Sequence, residues 1–144
     1  MKRSVNEIQG LVLKAARGAG VPLGVAEDLW VAVPFMLKNN ALSDVVDVLE
    51  GASFVPLQDA VSALDARQCG QDAVAPSGLL PALYDAMAAA RGVLPDCNTE
   101  PASGAQDVSG QVWARLNALA KRTYVPSSEE SRAAGAGAGL TDND

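Results

Sequence analysis

The chain has 144 residues, 49% of them hydrophobic, with 11 basic and 17 acidic side chains and no histidine. That is the size of one domain, with enough apolar material to fold without a disulfide or a metal. The missing imidazole excludes Ser/His/Asp and Cys/His catalysis and histidine metal ligands, and a formal charge of -6 has the wrong sign for nucleic-acid or anionic-membrane binding.

Met1-Lys2-Arg3 resembles the charged start of a signal peptide, but Asn6, Glu7 and Gln9 interrupt the apolar stretch that should follow, so a cytoplasmic location is expected. Ser4-Val5-Asn6-Glu7 is a capping box and predicts a helix from Val5 to Arg17, with Val5, Ile8, Val12 and Ala15 on its inner stripe and Leu11 beside them. Gly18 and Gly20 supply left-handed residues to end it. A second helix follows the Gly18–Gly24 loop, with Glu27 and Asp28 in its first turn and Leu29, Val33, Met36 and Leu37 facing inward. Pro34 cannot donate to the Trp30 carbonyl and predicts a kink or a break. The apolar run Leu29–Leu37 is nine residues long, about half of a bilayer span.

Leu42, Val45, Val46 and Leu49 repeat at helical spacing behind a possible Ser43 cap, with strand as the competitor because of the β-branched density. Pro56 suits the first position of a helix carrying Leu57, Val61 and Leu64, which Gly70 closes. Pro76-Ser77-Gly78 opens a further helix through Leu79, Leu80, Leu83, Tyr84, Met87 and Ala90 to Gly92. Residues 95–110 lack periodicity and read as a long loop. Ser109 caps the last helix, whose face is Val112, Leu116, Leu119 and Ala120 and which Pro126 stops. Cys69 and Cys97 form no metal-binding spacing and read as two reduced, buried thiols.

These elements, with 26 alanines and 4% aromatic residues, predict an all-α, compact single-domain bundle of five to six helices over residues 1–126. Residues 127–144 form an extended, Gly/Ala-rich acidic tail. Charge is unevenly spread: residues 1–20 carry +3, residues 21–126 carry -6 and the tail carries -3. The tail could dock on the basic first helix, against the screening that weakens exposed pairs.

No stretch carries a recognisable catalytic motif, and no cofactor is predicted. Gly135-Ala-Gly137-Ala-Gly139 lacks the strand and helix that a dinucleotide fingerprint requires. Arg17, beside Gly18 and Gly20, could clamp a carboxylate or phosphate, or simply complement a helix C-terminus. Glu27 and Asp28 point about 100° apart on a helix, which favours a capping role over an acid/base pair. Asp142 and Asp144 offer hard oxygen ligands for a divalent ion but lack the EF-hand pattern. Glu129, Glu130 and Arg132 beyond Tyr124 could line a polar pocket in which a carboxylate or the phenol would do any proton transfer.

Ser4-Val-Asn-Glu7, Lys14-Ala-Ala-Arg-Gly-Ala-Gly20 and Leu23-Gly-Val-Ala-Glu27, together with Arg122-Thr-Tyr-Val-Pro126, Glu130-Ser-Arg132, the glycine run and Asp142-Asn-Asp144, resemble an uncharacterised family of bacterial proteins. The resemblance covers about a third of the chain, is weaker in the middle, and implies a domain of unknown function with no assigned activity. It directs attention to the tail and the Arg17 loop. Two functions are compatible with these residues. The first is a helical protein acting through self-association or a protein partner, with the tail as a docking arm. The second is an anionic-metabolite site, or an enzyme, built from Arg17, Arg122, Tyr124, Glu130, Arg132, Gly135 and Gly137.

Overall fold

A computed structural model of the chain describes residues 1–93 and 100–123, and in it six helices pack together beside a minor two-stranded sheet. Strand β1 (Lys2–Ser4) leads into α1 (Val5–Ala19), followed by α2 (Leu23–Lys38), α3 (Leu42–Leu49), α4 (Val55–Gln68) and α5 (Pro81–Ala90). Strand β2 (Ala105–Asp107), α6 (Gly110–Ala120) and a 3₁₀ turn (Lys121–Thr123) complete the described chain. Helix α1 packs against α2 on one side and against α6 and the 3₁₀ turn on the other, while α5 and α4 lie against α2.

The capping box forms as predicted: the Glu7 amide donates to Ser4 Oγ at 3.2 Å, and the Ser4 amide donates to Glu7 Oε2 at 2.8 Å. At the other end of α1, Gly20 takes a left-handed φ of 94° and its amide donates to the Arg17 carbonyl. The Val21 amide reaches the Ala16 carbonyl, and its side chain turns into the core. Gly18 has a different role from the predicted one. It lies within the helix, and a Cβ there would collide with the Leu119 carbonyl oxygen and stand 2.8 Å from the Leu119 carbonyl carbon. The glycine lets α1 and α6 meet backbone to backbone.

Helix α2 begins at Leu23, so Glu27 and Asp28 fall beyond the first turn and do not cap it. Helix α2 is not broken at Pro34: it runs on through Lys38 with the proline inside it. The carbonyl of Trp30, which Pro34 cannot serve, accepts from Gln9 Nε2 of α1 at 3.0 Å, so a neighbouring side chain supplies the missing donor. The 42–49 segment is helical, with Leu42, Val45, Val46 and Leu49 buried. Its N-cap is Ala41 rather than Ser43, after an Asn40 turn at φ 53°.

Pro56 occupies the first turn of α4, and α5 starts at Pro81 rather than Leu79. Ser109 is the N-cap of α6 but makes no side-chain hydrogen bond there. Two short strands were not anticipated. Lys2 pairs with Asp107, Arg3 with Gln106 and Ser4 with Ala105, and the Val108 amide extends the ladder to the Met1 carbonyl. Part of the predicted 95–110 loop is therefore tied to the start of the chain.

Ile8, Leu29, Met36, Leu57, Leu64, Leu83, Leu116 and Leu119 are among the largest fully buried side chains, and the buried set among the described residues holds no charged group. Small residues at Ala15, Ala16, Ala26 and Ala32 bring the helices close. Two arginines tie elements together at the surface. Arg91, just past α5, pairs with Asp28 of α2 at 2.8 Å and with Asp65 of α4; burial alone would lower its pKa, but these hydrogen-bonded carboxylates raise it. Arg115 of α6 pairs with Asp47 at 2.7 Å and Glu50 at 2.6 Å of the α3 end, and the guanidinium holds the Glu50 carboxyl below its ordinary range. Cys69 is exposed at the end of α4, against the expectation of a buried thiol, and Cys97 lies outside the described residues.

Candidate functional site

The outward face of the α1/α2 pair is the part of the surface that its own fold leaves least explained. The inner side of α2 buries Ala26, Leu29, Ala32, Val33 and Met36, yet Leu23, Trp30 and Val31 on its outer side are 53%, 41% and 43% exposed. Spacings of seven and eight from Leu23 put these three on one stripe. A depression of about 430 Å³ lies between this stripe and α1, lined by Leu13, Glu27, Trp30 and Val31.

Across α1, a second depression of about 290 Å³ is lined by Asn6, Glu7, Gly10, Leu11, Lys14 and Trp113. The Arg3 guanidinium lies 4.6 Å from the centre of the Trp113 ring, a cation–π distance, and its Nη1 reaches Glu7 Oε1 at 3.5 Å. The Ser4 amide, then the Ser4 hydroxyl and Arg3, hold the Glu7 carboxyl below its ordinary range. The crest between the two depressions carries Gly10, Lys14 and Arg17 at helical spacing. Ion pairs among the described residues involve only Arg3, Arg91 and Arg115, so Lys14 and Arg17 have none there.

Of the residues singled out in the sequence, Arg17 is exposed in the last turn of α1 and Arg122 is exposed in the 3₁₀ turn. The two elements pack together, and Arg122 is near enough to Glu50 to help lower its pKa. Tyr124, Glu130, Arg132, Gly135 and Gly137, and the ion-ligand candidates Asp142 and Asp144, lie outside the described residues, as does the whole predicted tail.

Two further depressions lie elsewhere. One of about 380 Å³ is lined by Leu37, Asn40, Ser43, Asp107 and Ser109 among others. The other, of about 370 Å³, borders Ser77, Leu80, Tyr84 and Asp85, and the buried Tyr84 hydroxyl has no hydrogen-bond partner among the described residues. None of these four depressions is lined by Arg17 or Arg122. The described residues hold no group of three potential metal ligands, and no helix among them is long and apolar enough to cross a membrane.

The segment that builds this face has relatives. Residues 3–43 match a family model described as a protein of unknown function, DUF3726. The DUF3726 segment runs from β1 through α1 and α2 into the start of α3, and so contains Gly10, Lys14, Arg17 and Trp30. The resemblance seen in the N-terminal motifs is thereby confirmed, whereas the tail motifs lie beyond the matched residues. No curated protein and no solved structure matches the chain.

The sequence reading missed Gly10, Trp30 and Trp113. Gly10 was open to notice, because a glycine inside a helix is unfavourable by about 1 kcal/mol relative to alanine. Trp30 was hidden inside the apolar run Leu29–Leu37, where periodicity does not separate two faces.

Proposed function

We propose that the protein acts by associating with a second copy of itself, with residues 127–144 as an arm laid across the partner, and that it is a binding protein rather than an enzyme. The supporting observation is the outer stripe of α2. A helix on a globular surface needs apolar residues on one side only, and α2 has them on both. Isolated exposed apolar side chains are ordinary, but three in register beside an open depression form a patch.

Leu23, Trp30 and Val31 together present on the order of 250 Å² of apolar surface, about a third of the roughly 800 Å² per subunit that stable interfaces bury. An arm of this length, about 60 Å when extended, supplies the remainder. Sedimentation velocity on the full chain, the Trp30→Ser variant and a chain ending at Pro126 tests the reading. The expected result is a dimer for the full chain and monomers for the other two. A shortened chain that keeps the mass of the full one removes the arm from the mechanism.

A second reading draws on the packing of the 3₁₀ turn against α1, which brings the elements bearing Arg17 and Arg122 to one end of the bundle. These guanidinium groups, with Tyr124, Glu130 and Arg132, would hold an anionic metabolite. Thermal melting with a panel of small carboxylates and phosphates tests it: the midpoint should rise with one of them and lose that rise in Arg17→Ala.

A further inference from the structure

We infer that the arm's seat on the second copy is the outward crest of α1, Gly10, Lys14 and Arg17, walled by Trp30 on one side and Trp113 on the other. The inference rests on the self-association proposed above and names the surface it uses.

Gly10 is the first ground. Its backbone is helical, so no left-handed turn requires a glycine, and a Cβ built there meets nothing within 4 Å. The contrast lies within the same helix, where Gly18 is explained in full by the α6 backbone against it. At Gly10 the corresponding approach has no occupant among the described residues, although bare backbone is what a second chain needs in order to come close.

Charge is the second ground. Lys14 and Arg17 stand on the same crest without an ion-pair partner among the described residues, while Glu7 is engaged by Ser4 and Arg3. Glu27, on the Trp30 side, is the one other acid lining either depression. Residues 127–144 carry Glu129, Glu130, Asp142 and Asp144 against Arg132, and the first 20 residues carry a net +3 against the arm's -3. Such complementarity fixes register and speeds encounter.

Composition is the third ground. Ala133–Gly139 contains only alanine and glycine, small enough to lie flat over bare helix backbone between two indole rings, and acidic pairs stand on both sides of it. The described chain ends at Thr123 in a turn packed on α1, and the same turn in a second copy would deliver its arm across the interface.

The chain has two tryptophans, and both wall the seat, so their emission reports on it directly. The experiment uses the full chain as parent, Gly10→Leu, Lys14→Glu/Arg17→Glu, and the latter combined with Glu129→Lys/Glu130→Lys. Circular dichroism confirms folding, and each protein is followed by sedimentation and tryptophan emission at low salt. Gly10→Leu and the double reversal should weaken dimerisation at least about tenfold and shift emission to the red. The combined charge swap should restore both.

If both variants dimerise with parental emission while the chain ending at Pro126 is monomeric, the seat is wrong and the self-association stands. If the full chain is itself monomeric and its emission still responds to the double reversal, the arm lies on its own chain; the second copy is then excluded, and the proposed function with it.

Discussion

Replacing Gly18 with alanine adds one methyl group where α1 meets α6, and the atoms it meets are all backbone: the Leu119 carbonyl oxygen, its carbon at 2.8 Å, and the Ala120 Cα at 3.5 Å. No side chain can rotate away, so relief requires the helices to part by roughly 1 Å, a gap that forfeits a quarter to a half of each dispersion contact along the seam. Overpacking of this kind costs about 1–3 kcal/mol. A collision with an immovable carbonyl belongs at or above the top of that range, offset by the roughly 1 kcal/mol that alanine gains over glycine in a helix. The net expectation for Gly18→Ala is a loss of about 2–3 kcal/mol, or a melting temperature lower by about 6–9 °C for a domain of this size. Gly10→Ala is the control, because its Cβ enters open space and should stabilise the subunit by about 0.5–1 kcal/mol. Thermal and urea denaturation of both variants at concentrations where the protein is monomeric measures the pair. A Gly18→Ala protein as stable as the parent would refute the backbone-contact argument.

Gln9→Met keeps the length of the side chain but removes the donor to the Trp30 carbonyl; the expected loss is about 0.5–1 kcal/mol, with faster amide exchange in α2 around Pro34. Arg91→Met should cost about 1–2 kcal/mol after solvent screening, and a double-mutant cycle with Asp28→Asn should give a non-zero coupling, since Arg91 joins α5 to α2 and α4. Glu7 and Glu50 both have folded pKa values below their ordinary 4.5, so the unfolded chain binds more protons in that range. Their contribution is fully present above 4.5 and is lost as pH falls through the depressed folded values. Urea melts at decreasing pH should show this loss, and Glu7→Gln/Glu50→Gln should flatten it.

The helices were legible where their determinants are local. Ser4 and Glu7 start α1, Gly20 ends it, and the inner stripes of α1, α3 and α6 follow from spacing alone. The β1/β2 pair was not legible, because three-residue strands have no period to detect and their partners are about a hundred residues apart. Pro34 shows the same limit in another form. The lost backbone donor is a local fact readable from the sequence, whereas its replacement by Gln9 depends on α1 and α2 lying side by side.

The two glycines of α1 carry this distinction into the candidate site. In the sequence, Gly10 and Gly18 are each a glycine in or near a helical pattern, with the same propensity cost and the same freedom. Only tertiary structure separates them, one pressed against a carbonyl of α6 and the other open on the depression that Trp113 lines. Arg17 was reached from the sequence because a guanidinium declares its chemistry wherever it stands. Gly10 does not, since what it contributes is the absence of a side chain, and that acquires meaning only from what lies opposite. The DUF3726 match, ending at residue 43, encloses this crest together with Trp30, while Trp113 and residues 127–144 lie outside it. On the proposed reading, the matched segment would therefore supply the crest and one wall, with the arm and the second wall coming from the rest of the chain. Exchanging residues 127–144 for an unrelated sequence of equal length and charge separates electrostatic capture from a fit to the small-residue run. Dimerisation retained by charge alone would place the specificity in Lys14 and Arg17; dimerisation lost would place it in the bare backbone at Gly10.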